Sequence, residues 1–348
     1  MPAPFTLSCP LPVTQHNAIV LGHGSGGRLT AQLVRDIFLP AFDNPALRKL
    51  DDQAVLHAAP GRIALTTDSY VVTPLFFPGG DIGRLAVNGT VNDLAMSGAR
   101  PLYLTAAFII EEGLPMDDLQ RVVRSMAEAA GQAGVAIVTG DTKVVNRGCA
   151  DKLFITTAGV GLVPDGISIS ASNAEPGDVI LISGPIGEHG ITIWSTREGM
   201  DFAGGLKSDT APLNALVGAM IGAGDVHALR DPTRGGLGTS LCEIAASSGV
   251  GIELEAQAVP VREEVKAACE LLGMDPLFVA NEGRLLAMVP ESSAEAVLDA
   301  MRAVSEGREA RRIGRVVAEH AGMVIVKTEI GGSRIVDVPF AEQLPRIC

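Results

Sequence analysis

The sequence predicts an α+β protein built as two domains. Runs with strand character outnumber helical ones and often follow one another directly, unlike the strict alternation of a parallel βα sheet. The 348 residues are enough for two cores rather than one. The composition is 47% hydrophobic but only 4% aromatic, so those cores must be made of Ala, Val, Ile and Leu. Forty glycines, interleaved with apolar runs, imply tight turns and close backbone approaches rather than a disordered chain.

In chain order, residues 18–21 read as a short strand or lead-in to Gly22-His23-Gly24-Ser25-Gly26-Gly27-Arg28. A helix over 29–41 follows, with Leu29, Leu33 and Ile37 on one face. Gly22, Gly24 and Gly27 satisfy GxGxxG, but residues 44–50 make a poor second strand for a dinucleotide fold. A glycine loop offering backbone N–H groups to phosphates is the better reading. A strand over 62–67 delivers Asp68-Ser69, and a helix capped by Asp81 and stopped at Gly98 carries Asn92 and Asp93. A buried strand over 102–110, an amphipathic helix over 115–133 and a strand over 135–139 come next. That last strand delivers Gly140-Asp141-Thr142-Lys143, and a strand over 153–163 closes the half.

The domain boundary falls near Pro164-Asp165-Gly166, giving units of 1–164 and 165–338 and a mobile tail over 339–348. The second unit reads as strands at 179–183, 252–255, 285–289, 312–317 and 323–327. Its helices fall near 190–199, 211–223, 237–247, 261–272 and 293–305. His189, within Gly187-Glu188-His189-Gly190, is either a turn residue or a weak site candidate.

A formal charge of −13 with no Lys/Arg run argues against nucleic-acid binding. The longest apolar run, 102–110, is far too short to cross a membrane, and no signal peptide is read at the N-terminus. Five cysteines with no CxxC pair fit a reducing cytoplasm. Cys9, Cys149, Cys242 and Cys269 read as small hydrophobes. Cys348 does not, because a thiol at the end of Pro345-Arg346-Ile347-Cys348 is expected to be accessible. The tail reads as making no core contacts, and ten extended residues from Pro339 reach roughly 33–36 Å. Such a tail carries its sulfur from outside the body into a cleft, as something another protein loads.

Asp52, Asp68, Asp93, Asp141 and Asp231 recur beside glycines or strand ends. Converging on one cleft they would repel each other and any nucleotide unless divalent cations lay between, and hard oxygen donors point to Mg²⁺. A P-loop is excluded, since GxxxxGK[ST] does not occur.

The motifs Asp52-Gln53-Ala54-Val55, Thr66-Thr67-Asp68-Ser69, Asn92-Asp93-Leu94-Ala95-Met96-Ser97-Gly98-Ala99, Gly140-Asp141-Thr142-Lys143-Val144 and Asp231-Pro232-Thr233-Arg234-Gly235-Gly236 resemble the PurM-like ATP-dependent superfamily. With Asn281-Glu282-Gly283 and the final Pro345-Arg346-Ile347-Cys348, the resemblance narrows to the HypE family of NiFe-hydrogenase maturation factors. It implies a two-domain PurM-like architecture, dimeric through the N-terminal halves, with ATP and Mg²⁺ in a cleft near the dimer interface. It also implies a reaction, the ATP-dependent dehydration of a carbamoyl group on Cys348 to a thiocyanate. The partners implied are a HypF-type carbamoyltransferase and a HypC–HypD iron scaffold that takes the cyanide.

On this resemblance Asp52, Asp68, Asp93 and Asp231 hold metal, with Asp51 beside them. Gly24, Ser25, Gly26, Gly27, Asn92, Gly140, Asp141, Thr142 and Arg234 meet the nucleotide. Lys143 neutralises phosphate or oxyanion charge, and Glu282 is the candidate base. Two other readings stay open at this point. One is a PurM-like enzyme acting on a free small molecule, of selenophosphate synthetase or thiamine-monophosphate kinase type. The other is a carrier whose partner does the chemistry.

Overall fold

The computed structural model describes residues 17–24, 28–50, 54, 56, 60–200, 205–328, 331–338, 344 and 347–348. The N-terminal half comprises α1 (Arg28–Leu33), α2 (Leu39–Phe42), β1 (Arg62–Tyr70), β2 (Phe76–Phe77), β3 (Gly80–Asp81), α3 (Ile82–Met96), β4 (Arg100–Glu111), α4 (Met116–Ala133), β5 (Ala136–Val145) and β6 (Leu153–Val163). Its four-stranded sheet has the order β1-β6-β4-β5, antiparallel except for β4 against β5.

The C-terminal half comprises β7 (Val179–Ile182), α5 (Glu188–Glu198), α6 (Asn214–Ala223), β8 (Ala228–Arg230), α7 (Gly236–Ser248), β9 (Gly251–Glu255), α8 (Glu263–Leu272), β10 (Leu286–Val289), α9 (Glu291–Arg302), β11 (Arg311–Val317), β12 (Val324–Lys327) and β13 (Ser333–Val336). Its seven-stranded sheet runs β13-β12-β9-β11-β7-β10-β8, antiparallel except for β12 against β9. Directly successive strands such as β11 to β13 make this α+β, as predicted.

α3 is the element that positions the site. Asp81 caps it by accepting from the Gly83 and Arg84 amides (2.8 and 3.0 Å), satisfying donors that would otherwise be orphaned. Nearly every residue of α3 is buried, because it lies between the N-terminal sheet and the C-terminal half. The Asn92 amide donates to the Ala211 carbonyl (3.1 Å) and its oxygen accepts from the Leu213 amide (2.7 Å). Asn88 donates to Thr210 (3.2 Å). The halves share a core, in which Ile191, Ile193, Val265 and Val279 pack with Leu85, Phe77 and Val72.

Several sequence expectations need correction. Gly140-Asp141-Thr142-Lys143 does not follow a strand but lies within β5, because β4 continues to Glu111 and pairs with it throughout. β1 likewise runs on through Asp68 to Tyr70. In the expected helix over 29–41, a wider turn at Val34–Phe38 separates α1 from α2, and Leu33 and Ile37, but not Leu29, are buried. The two-residue strands β2 and β3 escaped prediction, as did β8 and β13. β8 has only three residues, and β13 is a sheet edge on which Ile335 faces solvent, so neither shows alternation.

Among the described residues the other face of the N-terminal sheet is exposed or half-buried, with Ala54 and Leu56 lining a hollow on it beside Leu65, Thr67 and Tyr103. Strand alternation turns Ala64, Thr66, Asp68 and Tyr70 toward α3, and sends Ile63, Leu65, Thr67 and Ser69 outward. Leu65 is 72% exposed, and Ile63 and Ile109 are also exposed large hydrophobics. Among the described residues no helix is long and apolar enough to cross a membrane.

Candidate active site

A cleft of about 520 Å³ opens where β1, α3 and the loop after β8 meet. Its walls carry Asp68, Asp93, Asp231, Arg230, Arg234 and Glu282, and Cys348 lies among them. Each carboxylate reaches the cleft for a local reason. Asp68 is an inward residue of β1, and the Tyr70 hydroxyl two residues on, on the same strand face, donates to it (3.0 Å). Tyr70 fits because Gly89 on α3 has no side chain, a Cβ there being 2.2 Å from the tyrosine oxygen. Asp93 sits one helical turn further along α3 and accepts from the Thr66 hydroxyl (2.7 Å). Asp231 begins the turn that leads into α7, where the Thr233 amide donates back to its carbonyl (2.9 Å). Glu282, only 4% exposed, is fixed through its main chain, whose amide donates to the Asp209 carboxylate (3.2 Å).

Crowded acids in a partly dry cleft titrate late. Burial raises the Asp93 carboxyl above the usual range, and neighbouring Asp68 adds to the effect. Asp231 is pushed up to about 7, by desolvation first and then by the charge of Asp93. Glu282 is raised well above its ordinary value by burial, then by Asp231, Asp209 and Asp68, while Arg234 pulls the other way. Such a cluster is suited to receive positive charge.

Among the described residues no three His, Cys, Asp or Glu side chains close on a single point as a metal cage. Mg²⁺ does not require one, since it is commonly held by one or two carboxylates plus substrate phosphates and water. The hard oxygen set of Asp68, Asp93 and Asp231 fits that mode, and cationic charge there would relieve the raised pKa values of Asp93 and Asp231. Asp51 and Asp52 lie outside the described residues, as do Ser25, Gly26 and Gly27.

The remaining site candidates divide. Arg234 is exposed on the cleft wall. Asn92 was expected to meet nucleotide, but it is 1% exposed and its amide group is taken up by the Ala211 and Leu213 backbone. It is a strut between halves, and it escaped detection because a buried polar helix residue looks the same in sequence whichever partner it has. Gly24 lies against β5, where a Cβ would be 2.5 Å from the Val144 amide nitrogen, on the strand bearing Asp141 and Lys143. Asp141 and Lys143 are exposed and paired with each other (3.3 Å). They share the outward sheet face with their β4 partners Ala107 and Ile109. Asp68 faces the opposite way from β1, three strand spacings or about 14 Å distant. One chain therefore does not bring Lys143 to Cys348.

The C-terminal segment also departs from expectation. Leu344 and Ile347 are buried and belong to the core shared by the halves, so loss of the tail would remove core contacts. The Val71 amide donates to the main-chain oxygen of Cys348 (3.2 Å), and the Ile347 carbonyl meets His189 Nε2 (2.7 Å). Sequence reasoning also missed Tyr70, Ser208 and Asp209. Only Tyr70 left a signal, two residues from Asp68 on the same face of a strand.

Comparison with known proteins agrees with this architecture. The model of the AIR synthase related protein, N-terminal domain, matches residues 50–163, and that of its C-terminal domain matches residues 175–327. These two domains define the class, the PurM-like α+β proteins. The Carbamoyl dehydratase HypE of Azotobacter vinelandii is 56% identical over 335 residues, covering 96% of this chain and 98% of that one. That of Escherichia coli is 50% identical over 337 residues, covering 95% and 100%. A crystal structure of the hydrogenase maturation protein HypE in complex with ATP matches with TM-score 0.91 and 53% identity, covering 94% of this chain and 99% of that one. A HypE–HypF complex matches with TM-score 0.78 and 51% identity, covering 88% and 99%. The chain belongs to the HypE carbamoyl dehydratase family.

Proposed function

We propose that the protein dehydrates a carbamoyl group carried on its own Cys348 to a thiocyanate at the expense of ATP, and so supplies cyanide for the iron of NiFe-hydrogenase. The observation that carries this reading is the position of Cys348, on the wall of a cleft lined by Asp68, Asp93, Asp231 and Glu282. The family kinship and the ATP complex of a 53% identical relative support the nucleotide as co-substrate.

A carboxamide oxygen is a poor leaving group. Transfer of the γ-phosphoryl group to that oxygen, with loss of one N–H proton, gives a phosphorylated imidate still bonded to the Cys348 sulfur. Loss of the second N–H proton and departure of phosphate then leave the nitrile. Glu282 is the candidate to take a proton, since a buried carboxylate with a raised pKa is a strong base once ionised. In the ligand-free cleft burial favours its protonated form, and arriving positive charge would favour its ionisation. Asp68, Asp93 and Asp231, with Asp52, are the residues that would hold Mg²⁺, whose charge supports phosphoryl transfer. Arg234 extends the cationic wall toward phosphate.

The division into units 1–164 and 165–338, with 339–348 as the carrying segment, accompanies this reading. Burial of Leu344 and Ile347 contributes roughly 1.5–3 kcal/mol each. That is of the order of the backbone freedom lost by one or two residues, about 1–2 kcal/mol apiece. The seat is thus reversible, as it must be if Cys348 leaves the cleft to be loaded by a HypF-type carbamoyltransferase. The HypE–HypF complex formed by a relative supports that partner. A HypC–HypD scaffold in the cytoplasm is the acceptor in this scheme. Homodimerisation through the outward sheet face is supported by exposed Ile63, Leu65 and Ile109, and by the need to bring Lys143 to a cleft its own chain does not reach.

The test is mass spectrometry of the C-terminal peptide of carbamoylated protein, before and after ATP. Loss of one water from Cys348 with release of phosphate is expected. An unchanged carbamoyl mass alongside ATP hydrolysis would move the chemistry to a partner.

A further inference from the structure

The Gly187–Gly190 turn at the start of α5 has no part in the chemistry above, yet its histidine is among the most enclosed polar residues of the molecule. His189 is fully buried, with Nδ1 2.7 Å from Ser208 Oγ and Nε2 2.7 Å from the Ile347 carbonyl oxygen. We infer that His189, oriented by Ser208, is a positioning residue that seats Ile347 and thereby sets the Cys348 sulfur in the carboxylate cleft. The inference rests on the reaction proposed for Cys348 and names the groups that hold its substrate in register.

The direction of each hydrogen bond follows from the partners. A carbonyl oxygen only accepts, so Nε2 carries the proton and donates to Ile347. Burial lowers the imidazole pKa, with Asp209 opposing, so the ring is neutral and Nδ1 is an acceptor. Nδ1 then takes the Ser208 hydroxyl proton. The Thr210 amide donates to Ser208 Oγ (3.2 Å), which orients the hydroxyl. The Ser208 amide in turn donates to the Pro78 carbonyl (2.9 Å), anchoring this loop to the N-terminal half. Phe77 meets the imidazole edge-on, with centroids 5.7 Å apart, and restricts its rotation. The relay therefore runs from Thr210 through Ser208 and His189 to Ile347, all beyond residue 165, and the Ser208 amide ties it to Pro78 of the N-terminal half.

The surroundings are shaped for the segment as well. Gly190 leaves room for it, since a Cβ there would lie 2.7 Å from Val279 Cγ1 and 3.3 Å from Leu344 Cδ1. Ile347 is 3% exposed among core residues, while Cys348 beyond it is half-buried and faces the cleft. The Val71 amide on the far side takes the Cys348 main-chain oxygen. A penultimate side chain buried and a carbonyl gripped leave the sulfur little choice of position.

The test uses full-length protein carrying His189→Ala, His189→Gln or Ser208→Ala. Hydrogen exchange at the Val71 amide reads seating, separately from ATP affinity and from dehydration of carbamoylated Cys348. His189→Ala should speed Val71 exchange and slow dehydration by about fivefold or more, the worth of one buried hydrogen bond, with ATP affinity unchanged. Gln places an N–H where Nε2 stood and should restore both to within about twofold of wild type. Ser208→Ala should fall between, and it decides the matter if His189→Ala does not fold. Unchanged Val71 exchange in both alanine variants would overturn the latch while leaving the dehydration itself standing. Absence of thiocyanate in the wild type would instead strike the reaction, and Val71 exchange would still report on seating.

Discussion

At the level of single residues, the cleft works by holding acids where water shields them poorly. Asp231, Asp93 and Glu282 all have folded-state pKa values above those of the open chain. A raised folded value means that the native state binds protons more readily, so stability is fullest below the unfolded pKa and is lost as pH rises through the folded one. For Asp231 that window runs from about 4 to about 7. Asp231→Asn should therefore stabilise the ligand-free protein at about pH 8, by on the order of 1 kcal/mol after allowing for water in the cleft, and leave it unchanged near about pH 4. Thermal unfolding at the two pH values checks this. Cys348→Ala should abolish thiocyanate formation while ATP binding persists, because Ile347 and Leu344, not the sulfur, hold the segment in place. Calorimetric titration with nucleotide and mass analysis of the tail separate those two outcomes.

At the level of elements, α3 does two jobs with neighbouring residues. Asp93 faces the cleft, and Asn92 ties the helix to the 205–213 loop of the other half. Asn92→Ala would strand the Ala211 carbonyl and the Leu213 amide in a dry interface, at a cost of roughly 2–3 kcal/mol. A lower denaturation midpoint with ATP affinity retained by the folded fraction is expected, measured by denaturant titration and calorimetry. Loss of nucleotide affinity without loss of stability would return Asn92 to the binding site.

For the whole molecule, the arrangement of β1, β6, β4 and β5 separates two groups of site residues. Asp68 looks inward from one edge, and Asp141 and Lys143 look outward from the other. The proposed symmetric dimer through the outward sheet face would reunite them. Mixed dimers of Lys143→Ala and Cys348→Ala chains should then recover part of the activity that each variant lacks alone, up to about a quarter of wild type in a one-to-one mixture, where about half of the dimers are mixed and each of those holds one intact site. Thiocyanate yield in unfolded-and-refolded mixtures, against each variant by itself, checks this. Leu65→Asp should prevent the proposed dimer, read by sedimentation, because it would place a charge in the middle of the proposed apolar contact.

The α+β class, the capped helix behind Asp81 and the succession of acidic motifs were all determined by the sequence, because each depends on local pattern or on residue type. Periodicity found α4 and β6 to within a residue, since a strongly amphipathic helix and a half-buried strand declare their own geometry. Which polar residues become struts and which line the cleft was decided only in three dimensions. Asn92 and Asp93 are neighbours of similar size, and only the packing of α3 against the 205–213 loop sends one to each fate. His189 lies 158 residues before its partner Ile347, and Lys143 faces away from a cleft whose motifs surround it in the chain. A hydrogen bond between distant segments has no local signature, so the pairing that seats the reactive sulfur had to await the fold.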